Sequence, residues 1–131
     1  MGGETVKKSW NISDSEWLVL RCLWKKKPLE IKELTAMLKE ETGWTSNMVR
    51  AMVVRLLEKG AIGVEKRAHY FRYYPIAEEE ACVKEETESF LNRVFERSVP
   101  KLFAALTDNR KLSAAELEEL EQMIRKLKAE E

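Results

Sequence analysis

The chain has 131 residues, of which 44% are apolar and 35% charged; that is room for one ordinary domain, or a small domain with an appendage. No apolar run approaches the roughly 18 residues of a membrane helix, and no apolar leader follows Met1, so neither membrane insertion nor export is expected and a cytoplasmic location is. The net charge is zero, yet residues 1–76 carry 14 basic and 9 acidic side chains, a net of +5, against −5 for residues 77–131. Charge alone leaves open whether the basic part meets a polyanion or reflects chance on a charge-rich surface.

Residues 1–10 lack a consistent period and read as a flexible N-terminus. Ser13-Asp14-Ser15-Glu16 is a capping-box pattern. The Ser13 hydroxyl can accept from the Glu16 N–H while the Glu16 carboxylate reaches back. It opens a helix to about Lys26, with Trp17, Leu20, Leu23 and Trp24 at helical spacing, before Pro28 stops it. A second helix is expected from Ile31 to Glu41 on the stripe of Leu34, Met37 and Leu38, with Gly43 just past its end. Thr45 or Ser46 caps a third, whose inner stripe is Val49, Met52, Val53, Leu56 and Leu57, closed by Lys59-Gly60.

The pattern then changes. Ile62–Lys66 and Tyr70–Tyr74 are rich in β-branched and aromatic residues around the polar tip Arg67-Ala68-His69, which is a hairpin signal. Beyond Pro75, helix is expected from Glu78 to about Arg97, with Pro100 breaking or restarting it. Thr107–Lys111 reads as a polar link, and a second capping box at Ser113–Glu116 opens a last helix.

Three short helices and a hairpin are the order of a winged helix-turn-helix domain, here 11–76, in a mostly α chain with one small β-hairpin. Residues 77–131 form a C-terminal helical region. In this architecture the helix after the turn enters the major groove, which just admits an α-helix. Thr45, Ser46 and Asn47, with Arg50 one turn on, are the candidate major-groove residues. Asn47 and Arg50 have the donors and acceptors for bidentate base contacts. Lys66, Arg67 and His69 are the candidate wing contacts to backbone or minor groove. In isolation each has a plainer explanation, a polar helix cap and a solvated turn.

No catalytic or metal-binding pattern competes. There is no nucleophile elbow, no HExxH and no glycine-rich phosphate loop, and one histidine with two cysteines sixty residues apart makes neither a zinc site nor a disulfide framework. No enzyme activity and no cofactor is expected. The acidic C-terminal helices present apolar stripes too small to fold alone. Phe90, Val94, Leu102, Leu106, Leu117, Leu120, Ile124 and Leu127 are the candidate dimerisation residues. A two-fold dimer suits a palindromic double-stranded operator; the alternative is that these helices fold back on their own winged helix.

Several segments together carry a family resemblance over roughly residues 11–130. They are Ile12-Ser13-Asp14-Ser15-Glu16-Trp17 leading to Leu23-Trp24, Trp44-Thr45, Met52 with Arg55-Leu56-Leu57-Glu58-Lys59-Gly60, Phe71-Arg72-Tyr73-Tyr74-Pro75, and Ser89-Phe90-Leu91-Asn92-Arg93 with Leu112-Ser113. The chain resembles the penicillinase-repressor family, which holds β-lactamase and methicillin-resistance repressors and copper-responsive relatives. The resemblance implies a homodimeric repressor. In the antibiotic branch, repression ends on proteolysis within the dimerisation region, so a regulatory protease is an implied partner. The family's Asn-Phe cleavage dipeptide aligns near Ala105-Leu106, where neither residue matches. The wing tip's usual Gly-Arg is Ala68-His69 here, and the copper branch's C-terminal cysteine motif is absent, which disfavours copper sensing. The competing function is a winged-helix protein–protein module without specific DNA binding.

Overall fold

A computed structural model describes residues 9–131. The expected flexible N-terminus therefore lies largely outside the described residues. In the described part, Trp10 packs against the core.

The elements run α1 (Asp14–Lys25), α2 (Ile31–Thr42), α3 (Ser46–Glu58), β1 (Ile62–Lys66), β2 (Phe71–Pro75), α4 (Glu79–Phe95), α5 (Val99–Asn109) and α6 (Ala114–Ala129). Local chemistry sets most of the boundaries. Ser13 and Glu16 form the expected capping box of α1. Gly43 ends α2 at φ +69°, a left-handed conformation that costs a glycine nothing. Thr45, rather than Ser46, caps α3 by accepting from the Met48 N–H. Ser113 and Glu116 form the capping box of α6.

Helix α4 stops at Phe95, close to the expected end, where Glu96 and Arg97 turn the chain through positive φ values of 52° and 70°. Helix restarts with Pro100 in the first turn of α5, where its missing N–H is no loss. One boundary differs from the sequence expectation: the polar run from Thr107 does not open a link at once. Thr107 and Asn109 bond back to the carbonyls of Ala104 and Ala105, and the helix continues to Asn109.

The chain divides into two compact units, Met1–Glu86 and Thr87–Glu131. In the first, α1 packs against α2, α3 and β2, and α3 against α2 and β1. Leu20, Leu23, Leu34, Val49 and Leu56 are fully buried between them. The hairpin is antiparallel, pairing Ile62 with Pro75 and Lys66 with Phe71. Gly63 faces Tyr74, whose ring lies where a Cβ would stand. A third chain segment joins the hairpin at Leu29, which exchanges backbone hydrogen bonds of 3.0 and 2.8 Å with Tyr73. Ile76 and Ala77 both donate to the Ala61 carbonyl, and the Trp24 indole donates to Ala77, so the strand that leaves the hairpin is held against the helices. Cys22 and Cys82 are buried, and burial pushes the Cys22 thiol up.

The second unit contains the C-terminal part of α4 with α5 and α6. Phe90 and Phe95 meet edge to face at 5.7 Å. No residue from Thr87 to Glu131 is buried. Among the described residues no helix is long and apolar enough to cross a membrane.

Candidate nucleic-acid interface

Helix α3 buries Val49, Val53 and Leu56. At 100° per residue, these three place Asn47, Ala51, Val54 and Glu58 along the opposite, outward ridge, with Arg50 and Arg55 on its two flanks. The six line one open depression of about 450 Å³. Thr45, Ser46, Asn47 and Arg50, the major-groove residues expected from sequence, are all exposed and gathered on the first turn and a half of this helix. Whereas α1 and α2 carry acids in their first turns, α3 has none. The positive end of its dipole and its free N–H groups therefore face solvent without a local counter-charge. Arg50 makes no ion pair among the described residues. It also lines a second depression of about 270 Å³ with Glu30, Ile31, Lys32, Phe71 and Tyr73, where α2, α3 and β2 converge.

The pose of α3 is fixed from behind. The Glu16 carboxylate, buried at the start of α1, accepts from the Lys59 ammonium at the C-terminal end of α3. Lys59 Nζ also donates to the Asn11 carbonyl at 2.6 Å. Burial by itself pushes the Glu16 carboxyl up, but the Lys59 ammonium and the Ser13 N–H and hydroxyl more than offset this, and it titrates below its ordinary value.

The hairpin places Lys66, Arg67 and His69 at its exposed end, at and beside the turn closed by the Arg67 N–H to Tyr70 carbonyl bond of 2.9 Å. They are not equivalent. Arg67 is tied to Glu65 at 2.6 Å, which offsets part of its charge. Lys66 lies over the Phe71 ring, 5.6 Å from its centroid, and Arg72 over Tyr70 at 4.3 Å.

The expected dimerisation residues are all in the second unit. Phe90, Val94, Leu106, Leu117, Ile124 and Leu127 are exposed, while Leu102 and Leu120 are half-buried. Ala105 and Leu106 lie inside α5. Sequence reasoning missed Ala51, Val54 and Glu58 as members of the outward ridge; the period of the buried stripe was enough to find them. It also missed the approach of Arg50 to Phe71 and Tyr73, for which nothing local in the sequence gives a signal. Among the described residues, no three His, Cys, Asp or Glu side chains group as metal ligands would.

Comparison with known proteins adds to this geometry. The penicillinase repressor of Bacillus licheniformis is 29% identical over 119 residues, which cover 91% of this chain and 93% of the relative. The methicillin resistance regulatory protein MecI of Staphylococcus aureus (strain N315) is 28% identical over 119 residues, covering 91% and 97%. Among solved structures, the Bacillus licheniformis BlaI monomeric form in complex with the blaP half-operator is 31% identical. It superposes with a TM-score of 0.50 over 57% of this chain and 92% of that one. MarR from E. coli, 20% identical, shares the fold with a TM-score of 0.53 over 89% of this chain and 76% of that one. The family model described as penicillinase repressor matches residues 12–126, and the chain belongs to that family.

Proposed function

We propose that this chain represses transcription by binding a palindromic double-stranded operator as a homodimer. The family is one of repressors, not of enzymes. The observation that carries the reading for this chain is the first part of α3, where exposed Thr45, Ser46, Asn47 and Arg50, which has no ion pair among the described residues, stand at a helix start free of acids. In this reading these four contact the major groove, and Lys66, Arg67 and His69 contact the backbone or the minor groove. The relation to BlaI, which has been solved with a half-operator, supports the docking. The second unit supplies the partner surface. Its apolar side chains lie open in a single chain and pair with those of a second copy.

Relief of repression belongs to the same reading and proceeds by proteolysis of the second unit, in the cytoplasm where the operator is. A cut at Ala105-Leu106 requires α5 to open first, because both residues are helical.

The test is fluorescence-anisotropy binding of the full chain to DNA upstream of its own gene and neighbouring genes, at two salt concentrations with random DNA as competitor. Specific binding that weakens steeply with salt is expected. Equal affinity for random DNA and every nearby promoter, with no salt dependence, would leave a protein-binding module instead.

A further inference from the structure

The outward ridge of α3 is apolar at its centre. Val54 is 45% exposed, and Ala51 is exposed one turn before it. Helix propensity explains an exposed alanine but not Val54, since a β-branched valine on an exposed helix face is a weaker helix former than the polar straight-chain residues. A scattered surface valine needs no explanation. This one sits in a depression whose walls include Arg50 on one side and Arg55 on the other, with Asn47 toward the helix start and Glu58 toward the end. A ridge with apolar side chains between two cations matches the major groove, where base edges lie at the floor and phosphates along the rims. The one apolar group on the groove floor is the 5-methyl of thymine.

Building on the repressor reading above, we infer that Ala51 and Val54 read thymine by apolar contact with its 5-methyl group, and that Arg50 and Arg55 flank this contact on either side of the groove. Each operator half-site then contains at least one thymine whose methyl group, rather than its hydrogen-bonding edge, is recognised. Glu58, the last residue of the ridge, stays away from the phosphates on this placement and faces the groove floor, where a cytosine amino group is its natural partner.

The experiment starts from duplexes that the full-length chain selects from a random-sequence pool. Each thymine of the selected site is then replaced by deoxyuridine, which removes the methyl and keeps the pairing edge. At one or two thymines per half-site the replacement weakens wild-type binding about fourfold, the equivalent of one buried methyl group. Val54→Ala, an exposed change that leaves the core untouched, binds the thymine site about fourfold more weakly and, at the thymine that Val54 meets, no longer distinguishes it from deoxyuridine. Val54→Thr, which keeps one methyl, retains the distinction. A selected site at which deoxyuridine is silent at every thymine, or costs wild type and Val54→Ala equally, overturns this inference and leaves the repressor reading standing. A chain that selects no sequence overturns both.

Discussion

The apolar side chains that are buried lie between Val19 and Cys82, and none falls within Thr87–Glu131. The first unit closes its own core, with α1, α2, α3 and the hairpin each covering the others. The second has comparable leucines and phenylalanines at helical spacing and leaves them half or wholly open. The difference is not one of local helix quality. Both units use the same capping box, Ser13 with Glu16 and Ser113 with Glu116. It lies in what the apolar faces meet. A helix is held chiefly by burying its apolar stripe, so the second unit has its helices and lacks a cover for them, which in the proposed homodimer is a second copy.

A change that removes the cover should show the largest effect. Ile124→Asp is expected to convert the dimer to monomer at micromolar concentration in sedimentation velocity and to abolish cooperative binding to a two-half-site operator, with the first unit still folded by circular dichroism. A chain already monomeric before the change would sink the homodimer. In contrast, Leu56→Ala empties a fully buried position of α3 and should cost about 2–5 kcal/mol in denaturant unfolding of the first unit. Leu127→Ala, at a position 63% exposed in the single chain, should leave that transition where it is and lower only the concentration-dependent one.

Next in size is the clamp behind α3. Lys59→Met strands the buried Glu16 carboxylate and is expected to destabilise the first unit by about 3 kcal/mol, the low end for a broken buried pair because Lys59 itself keeps some solvent. The pH dependence has a definite sign. The folded carboxyl titrates below its ordinary value of 4.5, so its contribution is complete above that value and is lost as pH falls through the lower folded value. Wild type should therefore lose more stability than Glu16→Gln on acidification through this range; parallel acid-unfolding curves would count against the pair. The smallest effect concerns recognition without folding. Arg50→Ala should weaken operator binding by about 1–3 kcal/mol, relax base preference at one position and leave the melting curve unchanged. Unaltered affinity and preference would remove Arg50 from the readout.

Much of this was legible in the sequence because it is encoded within a turn or two of chain. The caps at Ser13, Thr45 and Ser113, the glycine at 43 and the stripes of α1 to α3 depend on neighbours three or four residues away, and the winged-helix order follows from reading them in series. The misjudged end of α5 is local too, but it turns on side-chain bonds at Thr107 and Asn109 that residue type alone does not signal. Of the expected interface, the exposure of Thr45, Ser46, Asn47 and Arg50 followed from the period of the buried stripe. The pairing of Arg67 with Glu65 did not, since Arg67 lies just past the end of β1, where no strand period sets its direction.

The sequence by itself determined the helices, the hairpin and the helix that carries the polar first turn, since periodicity and capping act over a few residues. Only the tertiary structure decided the rest. It joined Leu29 to Tyr73, Trp24 to Ala77 across 53 residues, and Glu16 to Lys59 across 43. It brought Arg50 beside the hairpin. Those pairings are chosen by which buried groups find partners once the core closes, and no local pattern carries that choice.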